Sequence, residues 1–114
     1  MSRWIEIAKM SPDAAKDALN AIRSAAEAKG ITSEGLRAEW AESVCSAALS
    51  VRALDADLFR RMGDGVRCPE HWKEARDHAA WMLRQLGFNL AEAAVFLHCE
   101  RTAVSRMSRR YAPI

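Results

Sequence analysis

Leu90-Ala-Glu-Ala-Ala-Val-Phe-Leu97, His98-Cys99 and Glu100-Arg-Thr-Ala-Val-Ser-Arg-Met-Ser-Arg-Arg110 decide how this chain is read. Leu90, Ala93, Ala94 and Leu97 recur at the spacing of one helix face, and so do Val104, Met107 and Tyr111 after them. Two short helices therefore meet at a tight turn, and the second points Arg101, Thr102, Ser105, Arg106, Ser108 and Arg109 away from its apolar side, with Arg110 at its end. That set suits DNA. Arginine forks onto the O6 and N7 atoms of guanine, Ser and Thr reach a phosphate or a base edge, and Ala103 is small enough to let the helix approach or to meet a thymine methyl. Arg101, Thr102, Ser105 and Arg106 lie toward the helix start and are the candidates for base contacts. Arg109 and Arg110 lie further on and are candidates for phosphate.

Working outward, Pro69 opens a long helix whose stripe of Trp72, Ala75, Ala79, Met82, Leu83 and Leu86 runs to Gly87. A long helix, a short helix, a turn and a final helix form the order of a helix-turn-helix, here Pro69 to Tyr111. Upstream, Trp4 to Met10 reads as a short helix, and Ser11-Pro12-Asp13 as the start of a second. The second carries the stripe Ala15, Ala18, Leu19, Ile22, Ala25 and Ala26 and stops at Gly30 in a left-handed conformation. Thr32 or Ser33 starts a third, with Leu36, Trp40, Val44, Ala47 and Val51 in register. A shorter helix, Leu54 to Met62 with Leu58 inside it, ends at Gly63-Asp64-Gly65, the expected hinge. The fold class is all-α: residues 1–65 are a helical bundle for dimerisation or partner docking, and residues 66–114 are the DNA-binding domain.

Composition agrees with that class. Half of the 114 residues are hydrophobic, and only five are Gly and three Pro, which favours an ordered chain. Runs of β-branched and aromatic residues that mark strands are missing. No apolar stretch has the length needed to span a bilayer, and no signal peptide is read at the start, so a cytoplasmic, membrane-free setting is expected. Three cysteines, Cys45, Cys68 and Cys99, suit free thiols better than a disulfide framework. Residues 1–65 hold nine Lys/Arg against ten Asp/Glu, whereas residues 66–114 hold eight against five. The positive surplus therefore sits beside the proposed reader.

Cys68, Glu70, His71, His78, His98 and Cys99 lack the paired spacing of a zinc site, and no acid pair or Gly-rich loop supports catalysis. No metal, no cofactor and no enzymatic activity are expected.

The segment Ala75 to Arg110 resembles the helix-turn-helix superfamily of the Trp repressor and the C-terminal domain of the bacterial replication initiator DnaA. The residues that carry the resemblance are Ala75-Arg76 and Ala79, Leu90-x-Glu92-Ala93, and Arg101-Thr102-Ala103-Val104-Ser105-Arg106. It implies that Arg101, Thr102 and Ala103 read bases in the major groove, and it brings Arg76 into the DNA-binding set. The absence of a Gly-x-x-x-x-Gly-Lys-Ser/Thr loop removes the initiator's nucleotide-driven activity. Val95 and Phe96 are expected on the outer side of the short helix, packing on the N-terminal bundle or on a second subunit.

The expected function is sequence-specific binding of double-stranded DNA by a transcriptional regulator of bacterial, prophage or gene-transfer-agent type. Its expected protein partners are a second copy of the chain and the transcription machinery. Two alternatives stay open: a DNA-packaging or replication accessory protein similar to a small terminase subunit, and a protein-interaction adaptor that binds no DNA.

Overall fold

A computed structural model describes residues 3–30, 33–55, 58 and 70–111. All regular structure among them is α-helical: α1 (Arg3–Ala8), α2 (Pro12–Ala28), α3 (Glu34–Ser50), α4 (Glu70–Gln85), α5 (Leu90–Leu97) and α6 (Arg101–Tyr111). Of the expected helix Leu54 to Met62 only Leu54, Asp55 and Leu58 are described, with Leu58 helical and buried; the Gly63-Asp64-Gly65 hinge, Cys68 and the Pro69 start lie outside the described residues. No helix among the described residues is long and apolar enough to cross a membrane.

Local chemistry sets most boundaries. Ser11 caps α2 by accepting a hydrogen bond from the Ala14 N–H, with Pro12 at the first helical position, where its missing N–H leaves no bond unmade. Ser33 does the same for α3 through the Leu36 N–H at 3.2 Å. Gly30, at φ 69°, follows α2 in the left-handed region that a Cβ disfavours.

After α3 the left-handed position falls to an alanine. Ala53 has φ 55° and donates to Ser50 O, while Leu54 N–H reaches back to Leu49 O. A Cβ in this region costs about 1 kcal/mol. Ala53→Gly is therefore expected to raise unfolding stability by about 0.5 kcal/mol once the greater freedom of glycine in the unfolded chain is set against the relief. Urea denaturation at neutral pH checks it, and an unchanged or lower midpoint would show that this turn stores no strain.

One apolar core runs from Trp4 in α1 to Met107 in α6. The stripe expected on α3 is only part of what it buries: Ala41, Cys45, Ala48 and Leu49 are buried as well as Trp40, Val44 and Ala47. With apolar residues around most of its circumference, α3 contacts α1, α4 and α5, the setting in which a helix loses its single-sided pattern. Burial at Cys45, with a smaller contribution from Glu42, pushes its thiol up to about 12, so it stays a neutral packing residue. On α2 the expected stripe is narrower than drawn. Ala15, Leu19 and Ala26 are buried, but Ala25 faces outward because one residue step of about 100° carries it off the packed side.

Three arginines of α2, α3 and the segment after it reach the C-terminal helices. Arg23 Cδ would stand 3.0 Å from a Cβ built on Gly87. Arg37 forks one nitrogen onto both carboxylate oxygens of Glu92 at 3.0 Å and lies over the Phe88 ring at 4.5 Å. Arg52 donates to Ala48 O at 3.0 Å and to His78 Nδ1 at 2.9 Å.

Candidate nucleic-acid interface

The candidate surface is built on α6, which is fixed from behind. Val104 and Met107 are buried and Tyr111 is half-buried. The Tyr111 ring stacks on His78 of α4 at 4.3 Å between centroids and 14° between planes, and Trp81 tilts against it at 5.2 Å. His78 is 2% exposed. Because the Arg52 guanidinium can only donate, His78 Nδ1 is the acceptor and its Nε2 carries the proton. Burial, aided by the Arg52 charge, lowers its pKa to about 4, so the ring is neutral at physiological pH. Burial raises the Tyr111 hydroxyl above its usual range, against a smaller lowering by Arg52.

The short helix α5 is held at both ends. At its start, Asn89 accepts from Glu92 N–H at 2.8 Å while Glu92 accepts from Asn89 N–H at 3.0 Å, a reciprocal capping box. The Asn89 N–H, and then Arg37, hold the Glu92 carboxyl below its usual range despite some desolvation. At its end, His98 adopts φ 53° and ψ 49°, and the three residues 98–100 lead into α6. Arg76 Nη2 donates to Leu97 O at 3.1 Å, bracing that turn from α4. Gly87, at φ 95°, makes the preceding turn, where Phe88 N–H bonds Leu83 O and Arg84 donates to Phe88 O at 2.7 Å.

The expected residues now have places. Arg101, Thr102 and Arg106 are fully outward, and neither arginine makes a hydrogen bond or ion pair among the described residues. Ala103 and Ser105 are half-buried on the two flanks of the helix. Arg109 is exposed and curls along its own helix, donating to Ser105 O at 3.3 Å and Ser105 Oγ at 3.1 Å. Arg110 bonds Asp77 of α4 at 3.0 Å, with side chains 58% and 13% exposed. Burial raises the Asp77 carboxyl, although Arg110 pulls the other way. Arg76 is braced and partly buried, with its Nε enclosed and unpartnered.

Two clefts flank α6. One, of about 340 Å³, is lined by Lys73, Arg76 and Asp77 of α4 and by Ala103, Arg106, Met107 and Arg110. The other, of about 660 Å³, lies between Arg84, Asn89, Leu90 and Ala91 on one wall and Arg101, Thr102 and Ser105 on the other. Lys73 and Arg84 thus join the basic face, although the reading of α6 alone left them out. The signal for Lys73 was helical arithmetic on α4, where Lys73, Arg76 and Asp77 lie within one turn of one another; Arg84, two turns further on, lines the other cleft.

Two further expectations meet the side chains differently. Val95 is indeed outward, 69% exposed, but Phe96 is half-buried and sets its ring edge-on to Phe88 at 6.2 Å and 84°. One turn after Ala93, it covers the chain's own Phe88. Among the described residues no cluster of three or more His, Cys, Asp or Glu could hold a metal ion.

No protein-family model, no curated protein and no solved structure matches this chain.

Proposed function

We propose that the chain is a sequence-specific double-stranded-DNA-binding protein acting in transcription, with helices α5 and α6 as a helix-turn-helix and α6 as its recognition helix. The observation that carries this reading is the state of α6. Its apolar side is seated against α4, while Arg101 and Arg106 project from the other sides with no acidic partner among the described residues. A guanidinium left without a carboxylate keeps all its donors for an incoming acceptor, and an arginine held along a rigid helix loses less entropy on docking. Arg101, Thr102, Ala103, Ser105 and Arg106 are assigned to base contacts and Arg109 and Arg110 to phosphate. Arg76, braced on Leu97, acts by fixing the turn and adding charge beneath the face. The N-terminal helices serve to dimerise the protein or to dock a partner of the transcription machinery.

Selection of bound fragments from a random duplex pool tests the reading. An enriched site is expected, and Arg101→Ala and Arg106→Ala should each lose about 1–3 kcal/mol of discrimination at the base they contact. Fluorescence anisotropy on the selected and a scrambled duplex measures this. Two variants that bind and discriminate like the parent would reject α6 as the reader.

A further inference from the structure

Lys73, Arg76, Arg106 and Arg110 share one cleft with a single acid, Asp77. Four cations and one carboxylate line a depression of about 340 Å³ between α4 and α6, with Glu70 close enough to act on Asp77. The one acid is committed: Asp77 Oδ1 bonds Arg110 at 3.0 Å. Arg76 forms the floor. Its hydrogen bond there is to the neutral Leu97 carbonyl, and its Nε is enclosed without a partner, so a partly desolvated positive charge lies in the cleft with no ion pair of its own, offset only by the Asp77 carboxylate that Arg110 already holds. Lys73 and Arg106 stand exposed at the mouth, with no ion pair among the described residues.

A desolvated, under-compensated cation is stabilised by any anion placed near it, because the low local dielectric strengthens the attraction. The mouth supplies the two outward donors an anion needs: a flexible ammonium on one wall and a planar guanidinium on the other.

We infer that this cleft is a phosphate-binding site that takes a backbone phosphodiester of duplex DNA, with Lys73 and Arg106 as its direct contacts and Arg76 as the partly buried charge behind them. The assignment rests on the DNA reading of α6, whose flank forms one wall of the cleft. It adds Lys73, a residue outside α6, to the interface. It also gives Arg106 a second role, since a guanidinium at the cleft rim can bridge a phosphate and the adjacent base edge.

The test is equilibrium binding of the full chain and of Lys73→Gln to the selected duplex and a scrambled one, from about 50 to 200 mM salt. Lys73 is exposed, and a matched melting temperature establishes that the variant folds. Lys73→Gln should weaken binding to both duplexes by a similar factor and flatten the slope of log affinity against log salt by about 0.9, the release expected for one phosphate contact. Arg101→Ala, in contrast, should change the ratio between the duplexes. If Lys73→Gln keeps the parent's affinity and slope while Arg101→Ala loses discrimination, the cleft is not a phosphate site and the reading of α6 survives. A parent that binds no duplex at low salt overturns both. A third arm adds inorganic phosphate at constant ionic strength and follows the Lys73 and Arg106 amide resonances. Saturable shifts there without duplex binding would assign the cleft to a free anion and overturn the phosphodiester assignment.

Discussion

Phe88→Ala is expected to destabilise the protein by about 3–5 kcal/mol, enough to unfold much of a domain of ordinary stability. Phe88 is 1% exposed and ranks first by volume among the fully buried side chains. Its ring receives the Arg37 guanidinium at 4.5 Å and the edge of Phe96 at 6.2 Å. Truncation leaves a cavity and removes a cation–π contact together with an aromatic pair, each adding to the transfer loss. The backbone of residue 88 also closes the turn between α4 and α5 through Leu83 O and Arg84, so the void opens where α5 is anchored. Chemical denaturation measures the loss. Phe88→Leu, which refills most of the volume, should recover more than half of it. A loss below about 1 kcal/mol for Phe88→Ala would mean that the neighbours collapse into the space without penalty.

The second large effect is acid destabilisation through His78. Its pKa falls from an ordinary 6.5 to about 4 in the folded protein. The unfolded chain therefore takes up this proton first as pH drops. Stability is fully present above the unfolded value, declines between about pH 6.5 and pH 4, and then levels off. At 1.36 kcal/mol per pKa unit the total is about 3 kcal/mol. Protonation would bring a second positive charge against Arg52, 2.9 Å away, and would place a cation in the stack with Tyr111. Other groups titrate too: Glu92, lowered, adds to the acid loss, whereas Asp77, raised, opposes it. Comparison with His78→Asn isolates the histidine, because asparagine offers Arg52 an acceptor and carries no titratable proton. The variant should be less stable at pH 7, having lost the ring stack, yet should lose less between pH 7 and 4.5. Parallel pH profiles for the two proteins would show that His78 is not the group responsible.

Much of this architecture is legible in the chain because helix periodicity and caps are local. The α5 limits, Leu90 to Leu97, follow from a face of Leu90, Ala93, Ala94 and Leu97 bounded by Asn89 and His98. The α6 face follows from Val104 and Met107. The α3 pattern misleads for a physical reason: a helix packed on several sides buries residues off its main stripe, and Ala41, Ala48 and Leu49 count as much as Trp40. His78 lies on the α4 stripe, three residues after Ala75 and four before Met82, although the stripe read from apolar residues alone does not include it. What rescues it, Arg52 below and Tyr111 above, comes from 26 and 33 residues away. The same holds for the candidate interface. The outward arginines of α6 can be read from spacing alone. The partner that occupies Arg110, the carbonyl that occupies Arg76 and the proximity of Lys73 depend on how α4 and α6 pack, which no local pattern encodes.

The distribution of charge has a consequence for how an encounter with a polyanion begins. On and beside α1, α2 and α3 the outward acids Glu6, Asp13, Asp17, Glu27, Glu34, Glu39 and Glu42 are nearly balanced by Arg3, Lys9, Lys16, Arg23, Lys29 and Arg37, whereas Lys73, Arg84, Arg101, Arg106 and Arg109 gather around the last helix. Such a molecule carries a positive patch on a nearly neutral body, and on the proposed DNA reading a negatively charged rod would exert a torque on it before any atoms touch. Misoriented approaches would then be turned toward the basic side, and the benefit would fade once the ionic atmosphere shrinks below molecular dimensions. If the chain binds DNA as proposed, salt should therefore slow its arrival as well as loosen its hold.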